Sequence, residues 1–191
     1  MATNTTSSLL ERAQRREPDA VAELYRLYVQ SIARYIGYRI PDVTVVEDLT
    51  AEVFLRMVES LPRYRATGAP FEAWLYRIAA AQVANYYRHH QRHPQTSLNE
   101  AMGSESTPVE FNVQKQQEIH ELRAALTNLS DEQRTILFLR FVERKSHQET
   151  AYLLGKTVEA IATAQHRALK QLAKLLGTER SDLQSLSGEA S

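Results

Sequence analysis

Apolar residues recur along most of this chain at intervals of three and four, the period of one buried helix face, and almost never alternate as in a strand. Leu9, Leu10 and Ala13 predict a short first helix that stops near Pro18, with Asp19 as cap of the next. Val21, Leu24, Tyr25, Tyr28, Ile32, Tyr35 and Ile36 then form a stripe that runs to about Ile40, just before Pro41. A third helix is predicted from Thr44 to Leu61, with Val46, Leu49, Val53, Phe54, Met57 and Val58 apolar and Glu47, Asp48, Glu52, Arg56 and Glu59 opposite; Pro62 breaks it. The loop RYRATGAP is rich in turn formers, and Phe71 to His90 reads as one long helix carrying Trp74, Tyr76, Tyr86 and Tyr87.

Between Pro94 and Asn112 the period disappears and Ser, Thr, Gly, Pro and Glu take over, the composition of a flexible linker. Ile119, Leu122, Leu126 and Leu129 predict the next helix. Ser130 with Gln133 forms a capping box ahead of Ile136, Leu137, Leu139 and Phe141. Ser146 with Glu149 forms another, Gly155 ends the short helix it starts, and Thr157 caps a last helix with Val158, Ile161, Ala168, Leu169, Leu172 and Leu175 on its apolar face. The fold class is therefore all-α: two small helical domains, residues 1–93 and 114–177, joined by a linker at 94–113 and followed by a disordered tail at 178–191.

Composition and charge refine this picture. With 43% hydrophobic residues the chain has enough for real cores, and with no Cys it has no disulfide, thiolate metal site or thiol chemistry. No apolar run is long enough to span a bilayer, and MATNTTSSLL lacks an export signal and reads as a frayed lead-in, so a cytoplasmic protein is expected. The net charge of zero speaks against a nucleic-acid partner until it is resolved along the chain: residues 1–93 carry 12 basic against 10 acidic side chains, 94–113 none against 3, 114–180 carry 11 against 8, and 181–191 none against 2. Both domains are mildly basic and the connections acidic, so DNA binding by the free chain should be weak.

Three stretches carry candidate chemistry. Two short helices bent around Gly155, with small Ala151 at their contact and a polar, mostly basic outer face on the second, meet the requirements of a helix-turn-helix DNA reader; an ordinary helical hairpin meets them as well. In the long helix, Trp74, Arg77, Ala81, Asn85 and Arg88 fall on one face, with Tyr64 and Arg65 in the loop before it. Interleaved rings and guanidinium groups suit unpaired bases and phosphates, and equally a buried aromatic face beside a solvated basic one. Asp48 and Glu52 stand one turn apart beside Leu49, Val53 and Phe54, a mixed face suited to a partner protein; a Mg2+ site using Glu47, Asp48 and Glu52 is the competing reading and lacks a second acidic cluster. His89, His90 and His93 read as a basic helix end rather than a metal site, no phosphate loop or nucleophilic constellation appears, and no enzyme activity or cofactor is expected.

The order of these parts resembles the extracytoplasmic function, or group IV, sigma factors of bacterial RNA polymerase. EDLTAEVFLRMVESLPRYR is similar to the core-binding segment of their region 2, PFEAWLYRIAAAQVANYYRHH to the adjoining melting and −10 recognition segment, and LSDEQRTILFLRFVERKSHQETAYLLGKTVEAIATAQHRALKQL to region 4, which reads the −35 element. The resemblance implies docking on the core polymerase through Asp48, Leu49, Glu52, Val53 and Phe54. It implies −10 binding by Tyr64, Arg65, Trp74, Arg77, Asn85, Tyr86 and Arg88, and −35 binding by Lys145, Lys156, Thr157, Glu159, Thr163, His166, Arg167 and Lys170. Its partners would be core RNA polymerase, promoter DNA and an anti-sigma factor, with no membrane contact of its own. The chain departs from the family at Ala81, where Asn is usual, at Ala80, often basic, and at Ala162 and Ala164, where longer residues are common. A self-sufficient helix-turn-helix regulator would share the second domain and would need a sensing site in the first.

Overall fold

A computed structural model describes residues 2–66, 68–92 and 113–177. The predicted tail and all of the predicted linker but Val113 lie outside the described residues. The chain divides into two compact units, Met1–Ser104 and Glu105–Ser191. All regular structure among the described residues is helical.

Unit 1 contains α1 (Ala2–Gln14), α2 (Pro18–Gly37), α3 (Val43–Ser60), a single 3-10 turn (Leu61–Arg63) and α4 (Phe71–Arg92). The first helix begins at Ala2 rather than at the apolar residues that predict it, so the expected lead-in is helical. Asp19 is not the cap of α2. Glu17 holds that position without a side-chain cap bond, because Pro18, which has no N–H to satisfy, fits the first helical position; Asp19 lies in the first turn, where its charge complements the helix dipole. Asp42 caps α3 by accepting from the Thr44 and Val45 amides at 2.9 and 3.2 Å. As expected, α3 ends just before Pro62, at Ser60, and Pro62 lies in the 3-10 turn that follows.

The core of this unit is made of Leu24, Ile32, Tyr35 and Ile36 from α2, Val53, Phe54 and Met57 from α3, and Leu75, Tyr76, Ala79 and Val83 from α4. Each large side chain so buried contributes roughly 1.5–3 kcal/mol. Tyr25, at the rim of the predicted stripe, is exposed, and its ring meets Phe54 edge-on at 4.8 Å. The 3-10 turn is held against α1, whose Gln14 amide donates to the Tyr64 carbonyl at 2.7 Å.

Unit 2 contains α5 (Val113–Thr127), α6 (Asp131–Leu137), one wider π-type turn (Phe138–Val142), α7 (His147–Leu154) and α8 (Val158–Leu176). Both capping boxes form. Ser130 and Gln133 exchange bonds of 2.9 and 3.2 Å at the start of α6, and Ser146 and Glu149 exchange bonds of 2.7 and 3.1 Å at the start of α7. Gly155 ends α7 at φ 64, and an added Cβ there would meet nothing; its glycine serves backbone conformation rather than space. Thr157 caps α8 by accepting from the Ala160 amide at 3.2 Å.

The π-type turn is the main departure from the predicted pattern. The apolar reading places Phe141 on the buried face with Leu137. The Glu143 amide donates five residues back to Phe138 at 3.0 Å, the turn widens and Phe141 is exposed, while Arg140, one turn from Ile136 and Leu137, is buried. Ile136, Ala151 and Ile161 then form a tight cluster against which Leu154 and Ala164 pack. Ile119 and Leu122 of α5, and Val158 and Leu175 at the two ends of α8, are also more exposed than their spacing predicts.

Candidate nucleic-acid and partner interfaces

The apolar period of α8 turns one row of side chains outward as strictly as it turns the other inward. Ile161, Gln165, Ala168 and Leu172 are buried, while Thr157, Glu159, Thr163, His166, Arg167 and Lys170 are all exposed. The helix presents an acceptor, hydroxyls and cations to solvent in successive turns, which is the chemistry that reads base edges and phosphates. Glu159 lies in the first turn, where backbone amide and Thr157 hydroxyl bonding hold its carboxyl below the ordinary 4.5 and keep it an acceptor. Ala162 joins this outer row. Ala164 does not: it packs toward the cluster around Ile136, so its small size is a matter of packing rather than of the outer face.

The two lysines predicted as phosphate contacts flank this helix differently. Lys156 is exposed and paired with Glu132 at 3.0 Å, a surface ion pair that a phosphate could replace at little cost. Lys145 is half-buried in the loop before α7, its amide bonded to the Leu139 carbonyl at 2.9 Å.

In unit 1, α3 and α4 enclose an open groove of about 580 Å3 lined by Trp74, Arg77, Ala81 and Asn85 from α4 and by Arg56 and Glu59 from α3. Tyr64 stands at one end. Its ring lies 4.8 Å from Trp74 and meets Phe71 edge-on at 5.3 Å, so a half-buried aromatic cluster joins the loop to the start of α4. Arg65 and Arg77 are exposed, and Arg88 is exposed and donates to the Asn85 side chain. Tyr86 is half-buried and stacks on His90 at 4.0 Å, outside the residues that line the groove. His93 lies outside the described residues. Arg56 and Glu59 were not singled out in the sequence as groove residues, because only the pairing of α3 with α4 shows that they face Trp74.

The residues expected on the partner face differ in exposure. Asp48 is exposed, and Leu49 and Glu52 are half-exposed, Glu52 paired with Arg56 at 2.7 Å. Val53 is fully buried and Phe54 nearly so; both belong to the core beneath this face. The apolar residue that does stand beside Asp48 and Glu52 on the outer side of α3 is Leu55, 55% exposed, with Val58 one turn further. Its signal is its place one turn from Glu52, two turns from Asp48, and off the buried stripe.

Comparison with known proteins decides the family. Sigma-70 region 2 matches residues 24–93, and Sigma-70 region 4 matches residues 119–172, together most of the described chain. The chain is 34% identical over 161 residues to the ECF RNA polymerase sigma factor SigD of Mycobacterium tuberculosis, an alignment that covers 81% of this chain and 76% of SigD. It belongs to the ECF sigma-factor family. The ECF RNA polymerase sigma factor BldN of Streptomyces coelicolor is 36% identical over 171 residues; the match covers 88% of this sigma factor and 64% of BldN. Its fold is that of CnrH, solved with the cytosolic domain of CnrY, at a TM-score of 0.61 and 23% identity, over 90% of this chain and 96% of CnrH. No helix among the described residues of the sigma factor is long and apolar enough to cross a membrane.

Proposed function

We propose that this sigma factor joins core RNA polymerase, reads the −35 element with α8, and holds the melted −10 strand with the loop around Tyr64 and the face of α4. It positions DNA and catalyses nothing itself. One observation carries the reading: a single chain presents both an outward recognition row on α8 and, on a separate unit, a groove lined by Trp74, Arg77 and Asn85. Duplex reading needs hydrogen-bonding side chains on a helix that fits the major groove, and strand capture needs rings and cations beside a cavity; the two requirements are met in different places.

Asp48, Glu52 and Leu55, with Leu49 at the margin, supply the core-binding face, a mixed surface with Val53 and Phe54 packed beneath it. The functional domains follow the sequence boundaries, 1–93 and 114–177, with 94–113 as the tether. The factor acts in the cytoplasm, where its polymerase is, and an anti-sigma factor controls it by covering these same faces. Its zero net charge supports dependence on the polymerase, since phosphate contacts provide most of the affinity of a free DNA-binding protein.

Footprinting tests the reading. The chain alone should leave promoter DNA unprotected at moderate salt, and with core polymerase it should protect two blocks and render the −10 bases reactive to single-strand probes. Strong protection by the chain alone would favour a self-sufficient regulator.

A further inference from the structure

Arg140 lies in the π-type turn and is 6% exposed, while the neighbouring Phe141 is 39% exposed. A buried charge is weak evidence for stability, since its bonds must offset the loss of its hydration. Its bonds go to two different elements. The Nε donates to the Gln165 carboxamide oxygen at 2.9 Å, and an Nη donates to the Lys145 carbonyl in the loop before α7.

Gln165 sits on the inner side of α8, 5% exposed, between the buried Ile161 and Ala168 and immediately before the outward His166 and Arg167. Its apolar neighbours turn this face of the helix inward but fix its rotation only coarsely, because apolar contact has no direction. A hydrogen bond from a planar guanidinium has one. His147, the first residue of α7, also adjoins this pair; burial and the charge of Arg140 hold its pKa below the ordinary 6.5, against a hydrogen bond with the Gln165 side chain.

We propose that Arg140 is a positioning residue that fixes the rotation of α8 through Gln165 and so decides which outward side chains meet the base edges. The inference rests on the reading of α8 as the −35 recognition helix. A helix roughly 10–12 Å across that turns by about 20° moves its surface side chains by about 2 Å, more than a hydrogen bond to a base tolerates. Ala162, small and outward, leaves discrimination to few long side chains, so their placement matters the more.

The test uses holoenzyme assembled from the full chain and a promoter library randomised at the −35 position, with enrichment of bound sequences as readout. Wild type should enrich a defined set. Gln165→Leu and Arg140→Met should each flatten that enrichment by about tenfold, and the double variant should lose no more than either single one. Gln165→Glu, which keeps the acceptor, should retain selection. Core binding and helix content should be unchanged in Gln165→Leu. Wild-type selection that survives Gln165→Leu, or that is lost equally in Gln165→Glu, overturns the inference alone. No selection by the wild type overturns the reading of α8, and the inference with it.

Discussion

The ring of Tyr64 lies 4.8 Å from the ring of Trp74, and this contact ties the loop after α3 to the first turns of α4. Both rings also meet Phe71, which is buried, so the pair rests on the core below while one edge of Trp74 lines the groove. A base inserted there would meet rings already held in place by one another and by the core.

Replacing Trp74 with alanine should therefore impair strand opening and leave duplex binding by holoenzyme near wild type. Stacking on a base is worth about 1–3 kcal/mol, which corresponds to a loss of roughly 5- to 150-fold in the open complex. Trp74→Phe should recover part of it. Fluorescence of a base analogue placed in the −10 strand measures this directly, and an equal loss in duplex binding would contradict the assignment.

On α3, the exposed and buried residues should separate cleanly. Asp48→Ala with Leu55→Ala should weaken association with core polymerase by at least about tenfold with no change in melting temperature. Phe54→Ala should destabilise unit 1 by about 3–5 kcal/mol, because it empties a core site next to Tyr25. Co-sedimentation with core polymerase and thermal melting distinguish the two effects.

Two substitutions in the helix-turn-helix should shift stability in opposite directions. The Thr150 hydroxyl is buried with no hydrogen-bond partner, so Thr150→Val should stabilise the unit by about 1 kcal/mol. Gly155→Ala forces an L side chain into a left-handed turn and should cost about 1–2 kcal/mol even though the Cβ meets nothing. Denaturant melts of the full chain and its variants measure both.

The pH dependence of stability should contain a histidine component. His147 is held below its ordinary 6.5, first by burial and then by the charge of Arg140, against a hydrogen bond with Gln165 that raises it. Above 6.5 the ring is neutral whether the chain is folded or not, and the contribution is fully present; as the pH falls below 6.5 the unfolded chain takes up the proton first and stability declines. His147→Gln should flatten this part of the melting profile. Glu149 and Glu159, both held below their ordinary 4.5 by hydrogen bonds at helix N-termini, should add a separate loss only as the pH falls below that value. A variant profile parallel to wild type between about pH 7 and pH 5 would contradict the assignment to His147.

Much of this was legible in the sequence where the determinants are local. The boxes at Ser130 and Ser146, the stop at Gly155 and the outward row of α8 follow from side chains within four residues of one another. What was not legible depends on tertiary contact. The partner of buried Arg140 is Gln165, 25 residues away, and the stripe alone assigns Phe141 to the core, although it is exposed. Val53 and Phe54, which the resemblance carries into the partner face, are buried, as the spacing of the α3 stripe indicates.

Transcription from a promoter template by purified core polymerase, with and without this chain, tests the central claim most directly. The account predicts specific start sites only when the chain is present, reduced by Arg167→Ala through the −35 element and by Trp74→Ala through opening. Failure of the chain to form a stable complex with core polymerase, or start sites unchanged by its addition, would contradict it.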